Sequence, residues 1–470
     1  MRRICILGLG LGLGAGCFSP DEAPDLDTDG NGTTGAESMG AGGPTDGPDT
    51  MASTSATDPG ATATTDQTSG PSTTVDPTAQ ETGTETGIGG SCSGPGDCAS
   101  GVCVEMECVP CGDAPQPDTA CAESDAATPF CSEDGSSCVA CTASSCDGST
   151  PACDPQAGCV ACNEHSQCPE SACHLGGPDE GSCFDTADVV EVSDTSELDA
   201  ALEGAGSGGQ LVLRLSSGTF DYTGFPLFYY QEGVHPPEIA MIGDNTTLTG
   251  GATTLMFAPP LLYVSDVEFS QGPGRAISCS GSGEIWLDDS SLENYGTAVL
   301  GCDTHLRRSQ VRGDPTGTDF GGTLNVPSLV ATNSDLGPGG DPLLNVTDSI
   351  DLRYVTLVGN TGGLTCEAGT DGSVRNSILV NPGTSVQGCN GVGFTNNAHD
   401  QPGEGLGGTV VPEYDPNWFV ISTGSRFFLS ASGENVFEGV ADWDEGDPLF
   451  DIEGDPRPQD MPGYPGVDEP

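Results

Sequence analysis

The 470-residue chain contains no lysine. Its 11 basic residues are all arginine and face 70 acidic ones, for a formal net charge of -59. Arg2 and Arg3 stand at the N-terminus, and every other arginine lies at or after Arg214. Such a surface repels nucleic acid, anionic lipid headgroups and acidic polysaccharides; it suits divalent cations and neutral or basic partners. Long apolar runs are also missing. Ile4–Gly16 is too short to cross a bilayer comfortably, and no later stretch is long and apolar enough to do so. Residues 18–90 have almost no large apolar side chains, so they cannot bury a core and are expected to be a disordered, acidic Ser/Thr/Gly/Pro linker.

What is present at the N-terminus is an address. Arg2-Arg3, the apolar run and the small residues Gly14-Ala15-Gly16 precede Cys17, which reads as an export signal over 1–16. The pattern resembles a bacterial lipoprotein signal, although Gly14 stands where that family usually has leucine and Leu13 lies one place further out. The resemblance implies a lipid on Cys17 as the new N-terminus, hence a membrane partner through a lipid anchor. Phe18, in place of the aspartate that retains many lipoproteins at the inner membrane, implies the outer membrane, facing the periplasm or the cell surface. Export places the cysteines in a compartment that permits disulfides.

Residues 91–184 carry sixteen cysteines and few aliphatic side chains. Cys92, Cys98 and Cys103 have the spacing that Cys162, Cys168 and Cys173 repeat, and "CSEDGSSCVAC" and "CDPQAGCVAC" share the form C-x5-6-C-x2-C. An even number in a short, core-poor segment reads as a disulfide scaffold. Each bridge contributes about 2–4 kcal/mol. Zinc is the rival, with C-x2-C pairs and His165 or His174 as ligands. Export and the lack of surrounding aromatic or basic residues weigh against it, and no βαβ pattern supports a redox C-x-x-C. The spacing leaves the connectivity open. The segment resembles the cysteine-rich repeats of large surface lipoproteins of some Gram-negative bacteria, which implies a rigid spacer or binding stalk.

From residue 185 the composition turns globular. Val189–Val192 reads as a strand, Asp194 and Glu197 as the start of a helix through Leu202, a glycine cluster as its stop, and Leu211, Leu213 and Leu215 as one face of the next strand. This order resembles the start of the pectin-lyase-like right-handed parallel β-helix, where the small helix covers the end of the apolar bore. A repeat Φ-x-x-[small or polar]-x-Φ follows at Val264–Phe269, Leu287–Leu292, Leu306–Val311, Ala331–Leu336, Leu352–Leu357 and Val374–Leu379, with a degraded copy at Phe394–Ala398. Its period near 22 residues suits one three-strand coil, and the Gly/Asn/Asp/Pro clusters between copies suit turns. An antiparallel sandwich would give short strands without the internal motif. The fold class is therefore all-β: a right-handed parallel β-helix over 185–470, preceded by the disulfide module and the linker. The closing segment "DIEGDPRP" resembles the tail of bacterial surface β-helix proteins, with Glu453 where aspartate is usual.

Aligning the coils places Cys279, Cys302, Val326, Val346, Cys366 and Cys389 in one column. Coils stack at about 4.8 Å, within the Cα range of a disulfide. The expected bridges are Cys279–Cys302 and Cys366–Cys389, with a buried thiol ladder as the alternative.

Chemistry is harder to find. Pectate lyases of this fold use aspartates to hold calcium and an Arg or Lys as base; here Arg307, Arg308, Arg312, Arg353 and Arg375 are the bases clustered in the coils. Arg308, Arg353 and Arg375 could line one outer face, or pair with neighbouring aspartates. Asp288-Asp289 is a carboxylate pair of the kind glycoside hydrolases need, and otherwise two polar outward residues of one coil. No histidine sits between glycines, no Arg-x-Lys exists, and no nucleophile elbow occurs. Asp288, Asp289 and Arg308 are thus the catalytic candidates, and Asp451, Glu453 and Asp455, in an acidic C-terminal run, are the calcium candidates. The preferred reading is a non-catalytic envelope lipoprotein whose β-helix binds a polysaccharide or envelope protein and needs no cofactor. The alternatives are a polysaccharide lyase or glycoside hydrolase acting on neutral sugar, and a purely structural envelope protein.

Overall fold

Every cysteine between Cys92 and Cys183 is bonded, and the pairing has one rule. The computed structural model describes residues 90–470 except 94–96, 99–100, 155–156, 223–226, 251–253, 315–322, 340–341, 360–362, 381–385, 402–405 and 422–426. The export signal, Cys17 and the linker through residue 89 lie outside the described residues. The bridges are Cys92–Cys103 and Cys98–Cys108, Cys111–Cys131 and Cys121–Cys138, Cys141–Cys153 and Cys146–Cys159, and Cys162–Cys173 and Cys168–Cys183. These are four tandem units, each joining its first cysteine to its third and its second to its fourth. In every unit the third and fourth face each other across a short antiparallel pairing, as Cys103 faces Cys108 and Cys153 faces Cys159. The C-x2-C pairs are therefore unit boundaries, each holding the last cysteine of one unit and the first of the next. All sixteen sulfurs are spent on each other, which leaves no thiolate among them for zinc.

The fourth unit packs on the solenoid. Ala172, Leu175 and Phe184 share a buried cluster with Val212, Ala240 and Tyr263. The Tyr263 hydroxyl donates to the Gly176 carbonyl at 2.8 Å, and His174, stacked on Phe184, meets Glu238 at 2.7 Å. A side chain at Gly176 would collide with the Trp286 ring, 2.6 Å from the nearest atom. The last disulfide unit and the first coils thus form one core.

The solenoid is a right-handed parallel β-helix of about eight turns with three strand faces. The first face begins with Val189–Val192 and Gln210–Leu215 and climbs through 238–242, 261–265, 284–288, 303–307, 328–332 and 349–353 to Asp371–Arg375 and Gly391–Thr395. The second face runs from Gly218–Tyr222 to Gly408–Val410, and the third from Phe228–Tyr229 to Leu364–Cys366. The starting helix spans Thr195–Gly204; Asp194 caps it by accepting from the Ser196 and Glu197 N–H groups. Its buried Leu198 and Leu202 join the central core with Leu213, Phe220 and Ile239, which covers the end of the bore. An exposed end would leave apolar side chains and strand edges in water.

The repeated motif has a physical cause. Its apolar ends, such as Val264 and Phe269 or Leu306 and Val311, are buried in the bore, each stabilising by about 1.5–3 kcal/mol. The third position turns the corner between first and second faces in the left-handed conformation: Asp266, Asp289, Arg308, Asn333, Tyr354 and Asn376 have φ between 46° and 57°. The fourth position points inward. The hydroxyls of Ser290, Ser309 and Ser334 each donate to the carbonyl two residues back, and those of Ser309 and Ser334 accept the N–H of Ser290 and Ser309 one coil below. The last copy closes on His399 rather than Ala398, because Phe394 pairs with Val374 and His399 with Leu379.

Cys279–Cys302 and Cys366–Cys389 are bonded, with Cα–Cα distances of 5.2 Å and 4.9 Å. The expected single column is corrected. Val326, Val346 and Cys366 are in register, but Leu300 faces Asn325 and Thr304 faces Leu329, which puts Cys302 beyond Val326. Ser278 faces Leu300 and Thr365 faces Gln387, so the residue opposite each first cysteine is a glycine, Gly301 or Gly388. Both have φ of 73°. That left-handed step takes the second cysteine out of parallel register, where in-line Cβ vectors would not meet.

Candidate functional site

The left-handed corner is where other parts of the chain attach to the solenoid. The C-terminal tail runs along its upper coils. The Asn376 amide donates to the Asp442 carbonyl at 2.8 Å and the Asn333 amide to the Phe450 carbonyl at 2.7 Å. Arg457 is buried, lies 3.9 Å over the Tyr354 ring, and donates to Asn333 Oδ1 and the Gly466 carbonyl. The fourth cysteine unit covers the corner further down, at Asp288, Asp289 and Arg308. Two adjoining clefts share Glu164, Asp289 and Arg308 as a common wall. The inner one, about 320 Å³, runs under the fourth unit and is lined by His165, Asp266 and Asp288. The outer one, about 540 Å³, opens between Arg307 and the tail residues Leu449 and Phe450.

The three catalytic candidates meet in this wall. Arg308 donates through Nη2 to Asp289 at 2.8 Å and reaches Asp288 at 3.0 Å and Glu164 at 3.3 Å. Arg307 donates through Nε to Asp288 at 2.8 Å and through Nη1 to the Asn163 carbonyl. Burial works against the Arg308 charge, but the hydrogen bond to Asp289 and the charges of Asp288, Asp289 and Glu164 outweigh it and raise its pKa further. Asp288 faces out of its coil, as expected, but it is covered rather than solvated: it is 3% exposed, with both oxygens on arginines. The arginine row resolves into pairs, Arg353 with Asp351 at 2.7 Å and Arg375 with Asp444 and Asp447.

Two charges at the clefts are displaced from their usual values. Burial holds His165 down to about 4, so its ring is neutral near pH 7. Its Nδ1 accepts the Cys173 N–H at 3.1 Å, which puts the proton on Nε2, and Nε2 has no partner among the described residues. Burial, then the neighbouring Asp289 and Asp288 charges, raise Asp266 above the ordinary carboxylate range.

The calcium candidates do not form one ligand set. Asp451 is buried and spends Oδ1 on the N–H groups of Glu453 and Asp455, both at 2.8 Å, and Oδ2 on that of Glu469 at 3.0 Å. Glu453 and Asp455 are exposed. Among the described residues, every group of three potential ligand atoms within 4.8 Å of one another consists of cysteines, and those cysteines are in disulfides.

Sequence reasoning found Asp288, Asp289 and Arg308 but not Glu164 or Phe450, and named His165 only as a possible zinc ligand; the fold brings these three to them across more than a hundred residues. No local pattern marks such partners.

A family described only as a family of unknown function (DUF8331) matches residues 76–189, which takes in the four disulfide units and stops at the first strand of the solenoid. No curated protein and no solved structure matches the chain.

Proposed function

We propose that the protein is an exported, non-catalytic envelope lipoprotein, anchored through Cys17 at the outer membrane, whose solenoid displays a surface that binds a neutral glycan or another envelope component. The observation that carries this reading is the commitment of the candidate catalytic groups to one another. A general base needs a free lone pair facing its substrate, and a general acid needs a proton to give. Asp288 has both oxygens on guanidiniums, and Arg308 is held charged by three carboxylates. Asp288 and Arg308, locked in this way, can receive hydroxyl groups but have no chemistry to spare. Ten disulfides fit an exported chain, and the net charge of -59 favours neutral partners over acidic polymers.

A glycan array probed with the mature chain, run beside assays for new reducing ends and unsaturated products, tests the reading. Binding without products supports it. Turnover that is lost in Arg308→Ala makes the protein an enzyme, and neither binding nor turnover leaves a structural envelope role.

A further inference from the structure

The outer cleft combines two features. One is an exposed aromatic ring on a fixed backbone. Phe450 is 54% exposed and Leu449 beside it 47%. Their backbone is nonetheless held: the Phe450 carbonyl accepts from Asn333, the Leu449 carbonyl accepts the Arg457 N–H at 2.8 Å, and Phe450 bridges to Pro456. The other is a wall of paired charges, Arg308 with Asp289 and Glu164, and beside it Arg307, which pairs with Asp288.

The charges narrow the occupant. An anion would meet Asp289 and Glu164, and a cation would meet both arginines. A neutral polyhydroxy ligand uses both signs, because each hydroxyl donates and accepts. Its ring C–H face needs an apolar platform, which Phe450 supplies. The outer cleft has the size range of small-ligand sites.

We infer that the gap between the fourth cysteine unit and the C-terminal tail is a binding site for a pyranose unit of a neutral glycan. The sugar ring lies on Phe450, and its hydroxyls lie against Arg307, Arg308, Asp289 and Glu164. This rests on the non-catalytic glycan-binding reading above and assigns it a place. Specificity then comes from two straps that belong to different parts of the chain, so neither the disulfide units nor the solenoid alone carries the site.

The test is calorimetric titration of the full mature chain with neutral gluco-, manno- and xylo-oligosaccharides. Phe450→Ala, at an exposed position, should weaken binding of the oligosaccharide that the wild type binds by about tenfold or more, with an unchanged thermal midpoint. Phe450→Tyr should restore it. Wild-type binding that Phe450→Ala leaves intact overturns this site and lets the glycan reading stand. No binding by the wild type to any of these sugars overturns both.

Discussion

The Ser309 hydroxyl accepts the backbone N–H of Ser290 in the coil below at 3.2 Å and lies 2.9 Å from the Arg307 carbonyl two residues before it. One small side chain thus satisfies buried backbone groups of two coils at the corner where the strand ladder breaks. Ser309→Ala should cost about 1–3 kcal/mol, because it leaves a buried N–H without an acceptor. Urea unfolding of the two proteins checks it. A change under a few tenths of a kcal/mol would mean that the ladder does not stabilise the corner.

The same relationship explains which part of the fold is legible in the chain. Positions one, four and six of the motif can be read because the bore accepts only apolar groups and the corner only a small side chain, serine at Ser290, Ser309, Ser334 and Ser377 and valine at Val267 and Val355. The third position cannot be read as left-handed: Asp266, Arg308 and Tyr354 share that conformation and no chemistry. The disulfide pattern of the four units was open for a similar reason, since spacing constrains loops and not pairings. The four solenoid cysteines could be paired from their 23-residue separation. The glycine that offsets each pair could not be foreseen, because register follows from the turns.

That glycine carries its own prediction. A methyl group at Gly388 would lie 2.2 Å from the Cys366 carbonyl oxygen, whereas Gly439, with φ of 72°, has nothing within 4 Å of its added Cβ. Both alanine variants carry the cost of a left-handed conformation, about 1 kcal/mol. Gly388→Ala should therefore lower the thermal midpoint clearly more than Gly439→Ala. Equal shifts would contradict the close approach of the two coils.

Asp288 joins both arginines of the candidate site. Asp288→Asn should destabilise by about 2–3 kcal/mol, less than breaking a fully buried pair, because the side chains of Arg307 and Arg308 remain 29% and 24% exposed. Denaturant titration measures it. A neutral result would show that the arginines do not depend on this carboxylate.

Two buried groups make opposite contributions to stability against pH. Asp468, which accepts the Leu429 N–H at 2.6 Å, is raised by burial to about 6. Its folded form holds a proton more tightly than the unfolded chain, so its contribution is full below about pH 4 and is lost as pH rises through 6. His165, lowered by burial to about 4, contributes the reverse: the unfolded chain protonates first, so stability is lost as pH falls from about 6.5 to 4. Compared with the wild type, Asp468→Asn should lose about 2 kcal/mol of stability between pH 6.5 and 4.5, and His165→Gln should gain a similar amount. Urea midpoints at the two pH values check both signs. Parallel profiles for all three proteins would contradict the assignment.

The central claim is a site that binds a neutral sugar and leaves it unchanged. Saturation-transfer NMR on a mixture of the mature protein and a neutral oligosaccharide reads both halves in one sample. The account predicts transfer from protein to sugar protons, lost with Phe450→Ala, while the anomeric signals stay constant over hours. New reducing-end or unsaturated-sugar signals that grow with time would contradict it, as would the absence of any transfer.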